Sequence, residues 1–453
     1  MRILLVRPPR IKQAVTLGEM MFCEPLGLEC IYKVLKEDHR VEILDLMVTG
    51  ENFSRTLKEF NPDIVGITSL CIDVNNVIKL AKEAKVLKPE VITFVGGTQA
   101  YLNPQGFFIN HIDHVFKYTT TDNLKKFMHI ISKGVVEPID GIHSRALDFI
   151  GTNVHGRNEY MVPDRIATKK YRSKYSYLGY KPCAIMQTSL GCSKNCDFCL
   201  RWRIEGAKEK DIQLALIIKQ LKEIEESSVM ICDNDFLNDE ERLEKFCDLL
   251  EQEGIVKNFI CYGSVHSVLS HPHTISRLKD NGLKAVLVGY ETFNDEEMKN
   301  YKKKSTVEDN IKASKILKQI GIDVWASFML HPDWSLKDFK SMKSYVRKLK
   351  PEISTFSPLT PFPNLPLYKE YKERVIYNPT EYEAWSFGKV TIMPSKMSLR
   401  RYYFELLRFV LYINIRMNST SYMIKRFGSG TVLRMAKGSF GVVKTYLKLM
   451  ITS

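Results

Sequence analysis

The amino-acid sequence predicts an α/β protein in which a parallel sheet is followed by a partial β/α barrel and a helical, basic extension. Three observations lead to this fold class. Short apolar runs alternate with helical periodicity over residues 1–127, the alternation resumes over 183–370, and bulky apolar residues mix with cations over 371–453. Because one core stops growing at roughly 250 to 300 residues, a chain of 453 residues is expected to form two domains with an appendage.

The first region predicts a Rossmann-like or flavodoxin-like sheet. Strands are expected at 3–6, 41–44, 64–68 and 91–95, with helices near 26–35, 53–60 and 77–86. Such alternation predicts βαβ units with right-handed crossovers. Ligands of these sheets bind at the carboxyl ends of the strands, so we expect binding groups in the loops 7–21, 69–75 and 96–99.

The second region predicts six β/α units. Periodicity weakens over residues 128–182, where Gly, Pro, Asn and Tyr accumulate, so we expect a linker there. Strands are then expected near 184–188, 229–232, 259–262, 285–289, 324–329 and 353–356, each followed by a helical pattern. Units repeated at this spacing can form a partial TIM-type (β/α)6 barrel, whose chemistry lies where the strands end.

Composition and charge narrow the class of protein. The N-terminal apolar run is too short for a signal sequence, and no apolar stretch approaches the roughly 18 residues that span a bilayer, so we expect a cytoplasmic protein. Ten cysteines in such a chain are better explained as thiols or metal ligands than as disulfides. The net charge is +14, and residues 396–453 alone contain eleven basic residues and one acidic residue.

Three cysteines form a cluster at the start of the second region. Cys192, Cys196 and Cys199 are separated by three and two residues, directly after the first predicted barrel strand. Thiolates at this spacing can converge on a soft metal centre, either an iron–sulfur cluster or a zinc ion. Structural zinc requires a fourth ligand, usually from a second ligand pair, and the neighbouring sequence contains none. A cluster with three ligands would keep one iron open to a substrate or cofactor.

At these cysteines the chain resembles the radical S-adenosylmethionine (SAM) superfamily. The resemblance rests on their spacing, on Phe198 before the third cysteine and on the segment 188–191 that leads into the loop. It implies that Cys192, Cys196 and Cys199 hold a [4Fe-4S] cluster whose open iron chelates the amine and carboxylate of SAM. An electron from the cluster would cleave the sulfonium and release a 5′-deoxyadenosyl radical. The family pattern places Phe198 beside the adenine.

Further matches follow in the same order along the chain. Asp233 and Asp235 resemble the acidic segment that meets the SAM amino group in relatives, and Glu291 lies in a segment that resembles Gly-x-Glu-Ser. The segment 356–363 resembles the late segment that relatives end with Pro-Gly-Thr. At 330–335 the chain departs from the family's Gly-x-Pro-Gly-Glu-Thr and reads Leu-His-Pro-Asp-Trp-Ser. His331 is then either a polar group near the site or an ordinary loop residue.

The first region resembles the cobalamin-binding domain of B12-dependent radical SAM proteins. The matching segments are 7–9, 25–28, 61–69 and 95–97. The resemblance implies that Gly96 and Gly97 let the cofactor approach the backbone closely, with Ser69 nearby. The sequence contains no Asp-x-His-x-x-Gly to supply a lower axial histidine, and the family's Gly-Gly-Pro-His reads Gly-Gly-Thr-Gln here. The alternative is a degenerate domain kept for packing.

The basic C-terminal segment permits three interpretations. Aromatic and apolar residues alternate with arginines over 398–412, and 438–450 repeats the pattern with two lysines. Such helices can lie in the interface of an anionic membrane, or they can cap the open edge of the barrel and leave their cations in water. Nucleic acid would attract the same charge, but the sequence contains no recognised reader module, so this partner is not expected.

Together these features predict an oxygen-sensitive enzyme with a [4Fe-4S] cluster, SAM and cobalamin. The predicted reaction is methyl transfer, in which methylcobalamin delivers the methyl group to a carbon radical made by the 5′-deoxyadenosyl radical. Resemblance to members associated with hopanoid and other lipid biosynthesis favours a lipid or other small molecule as substrate, and it implies a reductant such as flavodoxin or ferredoxin. The alternatives are radical cyclisation, coupling or rearrangement without methyl transfer, and a non-enzymatic iron–sulfur or zinc scaffold.

Overall fold

The N-terminal domain is a six-stranded sheet between two layers of helices. The structure is a computed structural model that describes residues 1–9, 11, 21–149, 159–418 and 420–452. The elements of this domain are β1 (Arg2–Arg7), α1 (Leu26–Leu35), β2 (Arg40–Asp45), α2 (Phe53–Phe60), β3 (Ile64–Thr68), α3 (Val74–Leu87), β4 (Ile92–Gly96), α4 (Thr98–Leu102), β5 (His114–Phe116), α5 (Thr121–Lys133) and β6 (Ile142–Ser144).

The strand order of this sheet is β2-β1-β3-β4-β5-β6, and the first five strands are parallel. This is the flavodoxin-like order, so the structure decides between the two sheet types, Rossmann-like and flavodoxin-like, that the sequence predicts. Alternate residues of β1 face opposite layers: Leu4 packs with α2 and α3, and Leu5 packs with α1 and α5. Burial on both faces explains why the strands are continuous apolar runs.

Two strands of this sheet were not predicted. Both β5 and β6 have only three residues, too few for a recognisable pattern, and β6 runs antiparallel to β5. The sheet therefore extends to Ser144. The predicted domain limits at 127, 182 and 370 stay predictions, and most of the predicted loop 7–21 lies outside the described residues.

The second domain contains the predicted β/α units. Its elements are β7 (Cys183–Met186), β8 (Ser189–Leu190), α6 (Arg201–Glu205), β9 (Lys210–Asp211), α7 (Leu214–Glu223), β10 (Ser228–Ile231), α8 (Glu240–Gln252), β11 (Asn258–Gly263), α9 (Val265–Ser270), α10 (Pro272–Asp280), β12 (Leu283–Glu291), α11 (Asp295–Asn300), α12 (Val307–Ile320), β13 (Asp323–Leu330), α13 (Leu336–Leu349) and β14 (Ile353–Pro358).

Six of these strands form one parallel sheet in the order β7-β10-β11-β12-β13-β14, which confirms the partial barrel. The helices pack on its outer face. The inner face is filled near one end by Met230, Ile260 and Trp325, against which Tyr177 and Leu178 of the connecting segment pack. The opposite end, where the strands terminate, is the end at which such barrels place their catalytic residues.

The C-terminal extension is largely helical, as predicted. Its helices are α14 (Pro366–Tyr371), α15 (Leu399–Arg416), α16 (Thr420–Phe427) and α17 (Ser429–Thr452). The α15 helix begins at Ser398, whose side chain caps the backbone amide of Arg401, and it buries Tyr402, Leu406 and Phe409 against the barrel. Within the described part of the chain, no helix combines the length and apolar character needed to cross a membrane.

Candidate active site

The cysteine loop follows β7 and the two-residue strand β8, beginning at Gly191. Gly191 makes the turn with φ +84°, and a Cβ at this position would lie 2.0 Å from the Lys208 carbonyl oxygen. Only glycine therefore fits here. The backbone amide of Cys192 then donates to the Gly206 carbonyl at 3.1 Å, and the amide of Cys199 donates to the Cys196 carbonyl at 3.2 Å. These bonds fold the loop back on itself at the carboxyl end of the barrel.

Side chains that the sequence analysis did not identify hold this loop in place. The Asn234 amide donates to the Gly191 carbonyl at 2.7 Å and to Glu205 Oε2 at 2.8 Å. Arg201 Nε donates to Asn234 Oδ1 at 2.7 Å, and Trp202 Nε1 donates to the Cys196 carbonyl at 3.0 Å. Helix α6 and the loop after β10 thus position the cysteines. In the sequence, only the position of Asn234 between Asp233 and Asp235 could have indicated that it lies at the site.

The three thiols form a donor set suited to an iron–sulfur cluster. All are free cysteines, and burial raises the pKa of Cys192 to about 11 and raises that of Cys196. No three His, Cys, Asp or Glu side chains among the described residues surround a point where one metal ion would fit. In a cubane each thiolate binds a different iron, so the sulfurs need not meet at one point.

A buried ion pair lies beside the cysteine loop. Lys303 Nζ lies 2.8 Å from Glu291 Oε1, and both side chains are largely buried. Burial opposes the charge on Lys303, but Glu291 and Cys196 raise its pKa, so it is a cation. Lys303 Nζ also lies 6.0 Å from the centroid of the Phe198 ring, which packs edge-on against Tyr301 at 5.9 Å. Phe198 and Glu291 are thus brought together through Lys303, which the sequence analysis missed.

The predicted aspartates lie at the ends of neighbouring strands. Asp233 is buried and accepts from the Thr188 backbone amide at 2.6 Å and from the Ser189 hydroxyl at 2.9 Å. Burial raises the pKa of Asp233, and these bonds oppose that effect. Asp235 accepts from the Ser264 amide at 2.9 Å. Both carboxylates therefore organise the loops after the strands, and their predicted contact with SAM stays a prediction.

His331 lies at the end of β13 and has partners within the fold. Its Nδ1 accepts from the Asp333 backbone amide at 3.1 Å, and its Nε2 lies 3.0 Å from the Tyr371 hydroxyl. Burial lowers the pKa of His331 to about 4, so the ring is neutral at pH 7. The neutral form with a proton on Nε2 satisfies both hydrogen bonds.

A cavity of about 290 Å³ lies between the N-terminal sheet and the barrel. On one side it is lined by the carboxyl ends of β3, β4 and β5, including Gly96 and Gly97. On the other side it is lined by Leu190 at the entry of the cysteine loop and by Ile204 and Glu205 of α6. Both predicted binding regions thus share one space, which no sequence pattern could establish.

The walls of this cavity combine close approach to the backbone with a largely apolar lining, as the resemblance to B12-binding domains implies. Gly97 has φ +95°, and a Cβ there would lie 2.8 Å from Thr68 Oγ1, so the backbone itself forms the wall. Apolar and aromatic side chains dominate the lining, with Lys117 as a buried cation. Ser69 does not line the cavity: its hydroxyl donates to the Leu70 carbonyl at 3.0 Å, so its predicted role stays a prediction.

Comparison with known proteins matches two regions of the chain to described families. Residues 186–346 match the profile of the Radical SAM superfamily, and residues 21–126 match that of the B12 binding domain. The first match includes Cys192, Cys196, Cys199 and Glu291, and the second includes Gly96 and Gly97. Residues of both matched regions line the cavity.

Three similar proteins span most of the chain. The hopanoid C-3 methylase of Methylococcus capsulatus is 25% identical over 393 residues, covering 85% of this chain and 75% of that protein. The radical SAM methyltransferase TsrM from Kitasatospora setae, solved with cobalamin and a [4Fe-4S] cluster, superposes with a TM-score of 0.67 at 16% identity, over 85% of this chain and 84% of that one. The cobalamin-dependent SAM radical enzyme OxsB, solved with aqua-cobalamin and SAM, gives a TM-score of 0.68 at 14% identity, over 97% and 71%.

Proposed function

Because this chain is a radical SAM enzyme with an N-terminal B12-binding domain, we propose that it methylates an unactivated carbon of a small molecule or lipid. Its cofactors are a [4Fe-4S] cluster, SAM and cobalamin. When bound, the cluster supplies the electron that cleaves SAM, and cobalamin supplies the methyl group.

One observation carries this proposal: the cavity at the sheet edge opens onto the start of the cysteine loop. Gly96 and Gly97 line one wall, and Leu190, two residues before Cys192, lines the other. A cobalamin held against the glycines would therefore lie next to the site where SAM is cleaved. Methyl transfer requires this proximity, because a reactive carbon radical must meet the methyl donor without diffusing away.

The chain's own residues position and insulate this site. Asn234, Arg201 and Trp202 hold the backbone of the cysteine loop. Lys303 places a buried cation between Glu291 and the thiols, which stabilises the thiolate form that binds iron. We propose that Phe198 contacts the adenine of SAM and that Glu291, Asp233 and Asp235 shape its binding site.

A lipid or isoprenoid substrate is the favoured class within this proposal. The support is the similarity to a hopanoid C-3 methylase over 85% of the chain, together with the basic, aromatic C-terminal helices. We also propose a reductant such as flavodoxin or ferredoxin, and a cytoplasmic location peripheral to the inner face of the membrane. The reductant is part of the proposal because each reductive cleavage of SAM requires an electron from outside the protein.

The first test measures SAM cleavage. The protein is purified without oxygen, its cluster is reconstituted, and 5′-deoxyadenosine is scored after incubation with SAM and dithionite. We expect product from the wild type and none from a Cys192→Ala, Cys196→Ala, Cys199→Ala triple variant. The matched control is Cys23→Ala, Cys71→Ala, Cys247→Ala, which removes three thiols outside the loop and should keep cleavage.

The same preparation separates methyl transfer from other radical chemistry. Labelled SAM methyl should appear in the substrate, and bound cobalamin should be present and required. Deoxyadenosine formation without label transfer, with a cyclised, coupled or rearranged product, would replace the methylation proposal. A fully reconstituted wild type that produces no deoxyadenosine with candidate substrates and cobalamin would favour a non-enzymatic scaffold.

A further inference from the structure

The C-terminal helix α17 has one face packed on the protein and one face in solvent. Its inner side buries Tyr446, whose ring centroid lies 5.8 Å from that of Tyr403 on α15. Val442 and Val443 also pack toward the same core. With 24 residues, α17 is about 36 Å long, so its outer face is an extended strip rather than a point.

The outer face of α17 exposes large apolar residues in a regular row. Leu433 is 72% exposed, Phe440 71% and Ile451 81%, and Leu447 is 45% exposed. Leu433, Phe440 and Leu447 recur every seven residues, so they line one side of the helix. A soluble monomer rarely exposes such a row, and contiguous apolar surface of this kind indicates an interaction site.

Cations accompany this apolar row along its whole length. The helix contains Arg434, Lys437, Lys444 and Lys448 and no acidic residue. Lys437 and Lys444 lie on the exposed side, each between two of the exposed apolar residues. We define this outer face, with its four apolar and four basic side chains, as the basic stripe.

A positively charged groove lies where α16, the neighbour of α17, meets the barrel. It has a volume of about 450 Å³ and is lined by Lys279 and Lys284 of the barrel and by Lys425 and Arg426 of α16. Its carboxylate, Asp323, already pairs with Arg426 at 3.2 Å. Among the described residues, no acidic partner lies within ion-pair distance of Lys284 or Lys425. The groove therefore provides further cations for phosphate groups, two of them on the helix that contacts α17.

From these observations we propose that the basic stripe docks on the surface of an anionic lipid bilayer. Apolar side chains of an interfacial helix enter the boundary of the acyl chains, and flanking cations pair with headgroup phosphates. The inference gives the proposed peripheral location a defined surface and rests on that part of the proposed function, not on the methyl transfer.

Other occupants fit this surface less well. A second copy of the chain would place Lys437 and Lys444 against the same lysines, and like charges at a buried contact oppose association. Nucleic acid would satisfy the cations but would leave Leu433 and Ile451 in water, because phosphates offer no apolar partner. An anionic bilayer satisfies both parts of the stripe.

Vesicle sedimentation of the full-length, reconstituted enzyme without SAM tests this inference. The vesicles contain phosphatidylcholine alone or about equal parts of phosphatidylcholine and phosphatidylglycerol. The charge variant is Lys437→Gln, Lys444→Gln, Lys448→Gln, and the apolar variant is Leu433→Ser, Phe440→Ser, Leu447→Ser. The matched control removes the same charge from exposed positions on helices α3 and α5 of the N-terminal domain. It is Lys79→Gln, Lys82→Gln, Lys125→Gln.

We expect the wild type and the control to sediment with anionic vesicles and not with neutral ones, and each stripe variant to lose at least about tenfold in affinity. Circular dichroism should show that the variants remain folded. Stripe variants that bind like the wild type, or equal binding to neutral vesicles, would overturn the inference. So would a wild type that ignores vesicles and instead binds RNA or forms a dimer through the stripe.

The chemistry is scored separately. Deoxyadenosine formation is measured in the same preparation, so protein that binds vesicles but cleaves no SAM refutes only the proposed reaction. Protein that cleaves SAM but does not bind vesicles refutes only the proposal that the basic stripe docks on a bilayer.

Discussion

Glu291 combines a strained backbone with a buried charge. Its φ is +56°, at the point where the pairing of β12 and β13 shifts register. A Cβ on the nearby Gly289 would lie 2.2 Å from Glu291 Oε1 and 3.0 Å from Lys303 Nζ. A backbone held in the left-handed region is often found at a functional site, because the surrounding structure must stabilise it. This geometry supports a role for Glu291 and Lys303 beside the cysteine loop.

Lys303→Met should lower the free energy of unfolding by about 3 kcal/mol, because it leaves Glu291 buried and unpaired. Chemical denaturation of the protein measures this change. Lys302→Met is the matched control, since its partner Asp197 lies 3.0 Å away but the Lys302 side chain is 66% exposed. That change should cost less than about 1 kcal/mol. Equal losses in the two variants would show that the Glu291 pair is not a buried one.

His331 predicts a pH dependence of stability. Burial lowers its pKa from an ordinary 6.5 to about 4, so between these values the unfolded chain binds a proton that the folded chain does not. Stability from this residue is complete above pH about 6.5 and is lost as the pH falls toward 4, by up to about 3 kcal/mol. Between pH 6.5 and pH 4, the free energy of unfolding of His331→Gln should therefore decrease less steeply with falling pH than that of the wild type. An unchanged slope would contradict the neutral, buried ring.

The C-terminal helices divide two tasks that the sequence left as alternatives. Helix α15 covers the barrel: the ring of Phe409 packs edge-on against Phe356 of β14, with 4.7 Å between centroids. Helix α17 buries fewer of its side chains than α15 and exposes large apolar ones, including Leu433 and Phe440. Capping the barrel and presenting a basic, apolar face are therefore properties of different helices.

Phe409→Ala should destabilise the protein by about 3 to 5 kcal/mol, because the buried ring fills the space between α15 and the barrel. Thermal or denaturant unfolding provides the measurement. Phe404→Ala, on the same helix, removes the same ring from an exposed position and should change stability by about 0.5 kcal/mol or less. Similar effects of both changes would mean that α15 does not cap the barrel in solution.

At the scale of the whole molecule, a buried charge network ties the two domains together. Arg172 lies in the 3-10 helix Arg165–Lys174 of the connecting segment. Its guanidinium bonds to Glu24 before α1 and to Glu226 before β10, and it lies 3.5 Å from Glu29 of α1. Although burial opposes the charge, Glu24 and Glu226 raise the pKa of Arg172. One side chain thus links the N-terminal domain to the barrel.

Arg172→Met should leave buried carboxylates of both domains without their shared partner and cost about 3 to 5 kcal/mol. We also expect unfolding to lose cooperativity, since the N-terminal domain and the barrel would separate before either melts. Differential scanning calorimetry would show a second transition. Lys174→Met, at an exposed position of the same 3-10 helix, is the control, and it should keep a single transition. A single unshifted transition in Arg172→Met would contradict this linkage.

The order of elements follows from local patterns, and the prediction of the metal ligands rests on such patterns as well. Both sheets were predicted because strands buried on both faces are continuous apolar runs. The predicted role of Cys192, Cys196 and Cys199 came from their spacing, which suits a soft metal centre, together with the family resemblance of the loop. The very short strands β5 and β6 escaped prediction, since three residues have no measurable period.

Contacts between distant segments needed the folded chain. Asn234 reaches the cysteine loop from the segment after β10, and Lys303 reaches it from the segment after α11. The cavity joins Gly97 to Leu190 across 93 positions of sequence. Such neighbours are set by how sheets and helices pack, and packing depends on all side chains at once rather than on any local period. The sequence of one loop therefore determined the predicted chemistry, whereas the surroundings of that loop were decided only by the packing of two domains.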